Sequence, residues 1–162
     1  MDVFILSQVL MFIAMICVFI AFQIKDDKWF RLMFVLSGIL AASHFILLGA
    51  GTAAAMVFIN TSRWLISIFS RSRYWFWFYI LLFCVSLYFT YTNWISLVPF
   101  VAGLIGTLAV FQREQVKARK IYMGVDVLWI LNNVLIHTPV GVIAHILFLI
   151  SGFVGYQRVK KF

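Results

Sequence analysis

The chain has 162 residues, 65% of them apolar, 19% aromatic and 11% charged, with a formal net charge of +8. Soluble domains are about 45–50% apolar and about 25% charged, so this chain carries more apolar surface than a water-facing globule of its length can hide. The composition excludes a soluble enzyme, a disordered tail and a nucleic-acid-binding domain, and leaves an integral membrane protein without a second, soluble domain.

A membrane-crossing helix needs about 20 apolar residues, within a range of about 17–25. In chain order the apolar runs predict seven spans. Span 1 is Val3–Gln23, closed by Lys25-Asp26-Asp27-Lys28. It opens with Met1-Asp2 and has no basic leader and no A-x-A site, so it reads as a permanent span and not as a cleaved signal. Span 2 is Arg31–Leu48, closed by Gly49-Ala50-Gly51, and span 3 is Thr52–Phe69, closed by Ser70-Arg71-Ser72-Arg73. Trp75–Phe111 as one helix would be about 55 Å long, nearly twice the hydrocarbon thickness. It must therefore fold back at Thr90-Tyr91-Thr92-Asn93, giving span 4 (Trp75–Thr90) and span 5 (Trp94–Phe111). Span 6 is Ile121–His137 and span 7 is Val140–Gln157.

The Lys and Arg counts of the eight segments outside these spans run 0, 3, 0, 2, 0, 4, 0, 3. Strict alternation places the N-terminus in the periplasm and the C-terminus in the cytoplasm by the positive-inside rule. Arg63 is the basic residue left over, inside span 3. Arg113, Lys117, Arg119 and Lys120 form the longest loop, suited to anionic lipid headgroups. Trp29, Trp75, Trp77 and Trp94 stand at span ends, where amphipathic rings anchor. Cys17 and Cys84 fall within apolar runs and read as small buried hydrophobes. No spacing of Cys and His suggests a metal site, and nothing calls for a cofactor.

Shifted by 89 residues, the halves rhyme: Phe22-Gln23 falls on Phe111-Gln112, Lys28 on Lys117, and Ser43-His44 on Asn132-Asn133. The expected fold is all-α and polytopic, a single membrane domain over residues 1–162. It comprises a three-helix repeat (1–70), a linker helix (75–90) and a second, parallel three-helix repeat (94–158). That organisation resembles the SWEET and PQ-loop proteins, whose parallel repeats are related by an axis along the membrane normal. The chain lacks the Pro-Gln pair of the PQ-loop group, and Pro99 is the one proline placed to bend span 5. His44-Phe45-Ile46-Leu47-Leu48-Gly49 followed by Asn60-x-x-Arg63 resembles the YgjV-type bacterial inner-membrane family, as do the Lys25–Lys28 cluster, Leu97-Val98-Pro99 and Trp129 with Asn133. Asn132 departs from that family's pattern, which has His there. The resemblance implies a small protein of the bacterial inner membrane.

Polar groups within spans are costly and are candidates for function. Asn60, Arg63, Trp64 and Ser67 share one face of span 3, and Asp126, Trp129 and Asn133 share one face of span 6. At about 1.5 Å of rise per residue, Arg63 and Asp126 both lie roughly 10 Å from the cytoplasmic side, and His44 and Asn133 roughly 20 Å from it. Two layers are expected: an Arg63–Asp126 ion pair, and a ring of His44, Asn60 and Asn133 walled by Trp64 and Trp129. His145 belongs either to that ring or, as its place near the outer surface favours, to the interface. Each group also has a structural reading. The ion pair is either a lock or a gate, or Arg63 snorkels inward without a partner; His44 either bonds a carbonyl or meets a solute, and the asparagines either glue helices or bind. Gly38, Ala41 and Ala42, and Gly103 with Gly106, are expected to let helices approach closely.

No nucleophile, carboxylate pair or phosphate loop accompanies these residues, so no enzyme is expected. The expectation is a transporter or facilitator of a small polar solute, worked by alternating access between two three-helix bundles. The alternative is a membrane scaffold, accessory subunit or sensor whose polar core only holds the helices. Either reading leaves a homo-oligomer open.

Overall fold

The computed structural model describes residues 2–23, 26–70, 72–112 and 114–160. Among them the chain forms seven α-helices and a single 3-10 turn: α1 Val3–Gln23, α2 Asp27–Leu47, α3 Gly51–Phe69, α4 Arg73–Thr90, the turn Trp94–Ser96, α5 Leu97–Val110, α6 Gln115–Leu135 and α7 Pro139–Lys160. The helix count matches the seven apolar runs. Several boundaries differ because side chains near the membrane ends cap or continue helices. Asp26 accepts a hydrogen bond from the Trp29 amide, which starts α2 before its apolar run begins. Ser72 caps α4 by accepting from the Tyr74 amide. Asn93 accepts from the Ile95 amide and opens the 3-10 turn, so α5 starts only at Leu97. Pro99 then lies in the first turn of α5, where a missing N–H costs no helical hydrogen bond. At α6 the basic stretch read as a loop is helical from Gln115.

α1, α3 and α4 are long and apolar enough to cross a membrane, and Arg31–Leu47, Trp94–Val110 and Pro139–Val154 are shorter apolar helices. Large apolar side chains on the outward faces are exposed, among them Phe12 on α1, Phe58 on α3 and Leu81 on α4. This is the reverse of a soluble protein and suits a lipid surround.

α1 packs on α2 and α2 on α3, and likewise α5 packs on α6 and α6 on α7. The two sets meet where α1 touches α7 and α3 touches α5. α4 lies outside this ring against α3 and α5, burying Tyr79 and Phe83 and turning Cys84 outward, whereas Cys17 is buried. Close crossings use the expected glycines. A Cβ on Gly38 of α2 would collide with the Thr61 hydroxyl of α3, and one on Gly103 of α5 would collide with the Phe83 ring of α4.

The turns after α2 and α6 are built alike. Leu48 N donates to His44 O, Gly49 N to Ile46 O and Ala50 N to Phe45 O; likewise Ile136 N donates to Asn132 O, His137 N to Val134 O and Thr138 N to Asn133 O. Gly49 (φ 69°) and His137 (φ 55°) both take the left-handed conformation that ends a helix. Equivalent positions of these two turns, such as His44 and Asn132, are 88 residues apart, one less than the 89-residue shift that matches the two halves of the sequence.

Candidate functional site

A cavity of about 310 Å³ opens at the end of the bundle where α3 finishes and α6 begins. α3 supplies Arg63, Trp64 and Ser67 to it, three residues of the predicted stripe. Tyr79 of α4 and Tyr122 of α6 complete its inner part, and Arg31 of α2 stands among its lining residues. Arg63 is 3% exposed, with its guanidinium against Gly106 of α5. Its Nη1 donates to Thr107 Oγ1 at 2.7 Å, and Thr107 passes its own hydrogen to the Gly103 carbonyl at 2.9 Å. Arg63 Nε and the buried Tyr122 hydroxyl have no hydrogen-bond partner among the described residues. Arg31 donates to Ser67 Oγ at 2.7 Å and lies 6.0 Å from the centre of the Trp64 ring, which itself stacks on Phe34.

The expected Arg63–Asp126 ion pair does not form. Asp126 is instead 3.1 Å from His145 Nδ1 on α7. The two groups do share a depth, but α6 packs between α5 and α7. One residue along a helix turns the side chain by about 100°. Val125 faces the core with Phe45 and Ala102, and Asp126 is carried round to α7. His145 turns into the bundle: its side chain is 15% exposed, and its ring stacks on Trp129 at 5.8 Å and 12°.

His44 is fully buried between three helices. Its Nδ1 lies 2.8 Å from the Ser7 carbonyl of α1, so that nitrogen carries the hydrogen. Its Nε2 lies 3.1 Å from Thr138 Oγ1, which is 3.2 Å from Gln8 Oε1. His44 thus ties α1, α2 and the start of α7, and lines neither this cavity nor the one described next.

A second cavity, about 170 Å³, opens at the opposite end, lined by the α2–α3 turn, Thr52, Ser96, Pro99 and Asn132. Its hydroxyls are interlinked: Thr52 donates to the Thr90 carbonyl, and its Oγ1 lies 3.1 Å from Ser96 Oγ. Between the two cavities lies an apolar plug of Phe45, Ala53, Ala54, Ala102, Val125 and Trp129. Phe45 and Trp129 stack across it at 5.6 Å. Asn133, fully buried, donates to the Trp129 carbonyl, and its Oδ1 presses against Gly141 of α7 without a hydrogen-bond donor among the described residues. Asn60 lies one turn deeper than Arg63, and its buried Oδ1 is likewise unpartnered among the described residues.

The structure therefore gathers Arg63 and Trp64 at one cavity and Trp129 at the plug, and disperses His44, Asn133 and Asp126 into contacts between helices. Sequence reasoning passed over Thr107, Tyr79, Tyr122 and Ser96, since hydroxyls are ordinary in apolar helices. The signal for Thr107 was its place beside Gly103 and Gly106, where a bare backbone admits a large neighbour. Of the residues expected to meet lipid headgroups, Arg113 and the Arg119 side chain lie outside the described residues. Lys117 is exposed and paired with Glu114 at 2.9 Å, and Lys120 lies over the Tyr156 ring.

A family model described as a bacterial inner membrane protein, Imp-YgjV, matches residues 5–162. No curated protein and no solved structure matches the chain.

Proposed function

The chain belongs to the Imp-YgjV family of bacterial inner membrane proteins, and we propose that it is a facilitator of a small polar solute, acting without catalysis. The observation that carries this reading is the pair of cavities at opposite ends of the bundle, each with polar side chains in its wall, divided by the Phe45–Trp129 plug. α3, α5 and α6 each contribute residues to both cavities and to the plug, and α2 joins them through Arg31, Phe45 and the turn that follows it, so one seam between helices runs from end to end. Repacking of that seam would open one cavity as it closes the other.

Two parallel three-helix repeats joined by α4 would supply the rocking units. The matched turns after α2 and α6, and the correspondence of the α1–α7 contact with the α5–α3 contact, support this arrangement. In it all seven helices cross the membrane. The end that carries Lys28, Arg31, Arg73, Lys117 and Lys120 faces the cytoplasm. The larger cavity is then the cytoplasmic one, and the cluster around Lys120 lies at anionic headgroups.

A second reading, a non-transporting scaffold or accessory subunit, is favoured by the His44 and Asp126–His145 contacts, which spend most of the predicted polar site on joining helices. Uptake into proteoliposomes of the purified chain separates the two. Facilitation predicts solute equilibration above protein-free vesicles, slowed when the plug is enlarged by Ala102→Phe. Equal leakage in both kinds of vesicle across charged and neutral metabolites contradicts it.

A further inference from the structure

We infer that the occupant of the Arg63 cavity is a compact oxyanion, a carboxylate or a phosphate. This deepens the solute-site reading above and rests on it.

A guanidinium has five N–H donors in a planar fork and holds its charge at any physiological pH. Arg63 is buried, and its described partner is the neutral Thr107 hydroxyl at 2.7 Å. Its Nε has no acceptor among the described residues. A buried cation whose charge is not matched is strongly destabilising, so a charge-balancing group belongs beside it. The acid expected from the sequence is turned away: Asp126 is held by His145 on α7. Among the described residues that line the cavity there is no Asp or Glu to balance the Arg63 guanidinium. The unpartnered Tyr122 hydroxyl adds a neutral donor on the same wall. This donor set fits a ligand that offers several oxygens and negative charge, since guanidinium binds carboxylate and phosphate through two parallel hydrogen bonds. The volume of about 310 Å³ stands at the lower end of the roughly 300–1,000 Å³ usual for ligand pockets, which favours a compact ion. A free metabolite and a lipid headgroup phosphate share this chemistry.

The test uses the full chain, purified in a non-ionic detergent, with thermal unfolding read against inorganic phosphate, succinate, glucose and choline. Phosphate or succinate should raise the midpoint in a saturable manner, and glucose and choline should leave it unchanged. Charge-assisted bidentate bonds are worth enough that Arg63→Gln should weaken the anion by about tenfold or more, with Arg63→Lys falling between. Native mass spectrometry of the same samples with phosphatidylglycerol distinguishes the source. One retained lipid, displaced by phosphate and lost in Arg63→Gln, assigns the headgroup; phosphate binding without a retained lipid assigns a soluble ion. If neither soluble anion shifts the wild-type protein and no lipid is retained, the inference is overturned, whether or not the variants fold. Anion binding without flux in proteoliposomes would sink the transport reading and leave the anion site standing. Glucose flux without anion binding would do the opposite.

Discussion

Asp126 on α6 reaches His145 on α7 at 3.1 Å and leaves Arg63, at the same depth on α3, to the hydroxyl of Thr107. The two embedded charges of opposite sign thus have separate partners. This separation is what gives the larger cavity a positive wall.

The separation is measurable as energetic coupling. Asp126→Asn and His145→Ala should be non-additive, with an interaction energy in the range of about 0.5–3 kcal/mol for groups in contact. Asp126→Asn and Arg63→Gln should combine additively to within about 0.5 kcal/mol. A double-mutant cycle on unfolding in detergent measures both, and strong coupling of Arg63 to Asp126 would contradict the geometry.

His44 should matter for stability and not for binding. His44→Ala removes a buried ring together with its hydrogen bonds to the Ser7 carbonyl and the Thr138 hydroxyl, at a cost of roughly 2–5 kcal/mol. Anion affinity at the Arg63 cavity should stay within about twofold of wild type, a difference of less than about 0.5 kcal/mol. Loss of affinity in a folded His44→Ala protein would show that His44 faces the solute after all.

The α2–α3 crossing is sensitive at one residue pair. Gly38→Ala places a methyl against the Thr61 hydroxyl, and overpacking of this kind costs about 1–3 kcal/mol. Adding Thr61→Ala should recover part of the loss, because the clash is with that side chain. A neutral Gly38→Ala substitution would mean that the helices lie further apart.

The matched turns respond in opposite directions. Gly49→Ala forces a Cβ into the left-handed conformation, at a cost of about 1–2 kcal/mol. His137→Gly relieves the same strain at the equivalent site and should stabilise or be neutral, since glycine's greater freedom in the unfolded chain offsets part of the relief. Parallel measurement of the two unfolding midpoints checks the pair.

Much of this architecture is visible in the residues. The seven helices follow from apolar run length and from the polar breaks at Gly49–Gly51 and Thr90–Asn93, and the Arg63–Trp64–Ser67 stripe follows from helical spacing. What the residues alone do not carry is azimuth. Depth along a helix follows from counting, but whether Asp126 looks toward α3 or α7 depends on which helices flank α6, and no local pattern encodes that. Helix ends were blurred for a related reason: charged residues such as Lys117 and Lys120 read as loop, yet they continue α6.

The most direct test of the seam from end to end is sided thiol labelling in oriented vesicles. In a Cys17→Ser/Cys84→Ser background, Ser67→Cys reports the larger cavity and Ser96→Cys the smaller one. A membrane-impermeant maleimide should modify the Ser67→Cys protein from the cytoplasmic face alone and the Ser96→Cys protein from the periplasmic face alone. Labelling of both from one face, or of neither from any face, would contradict the account.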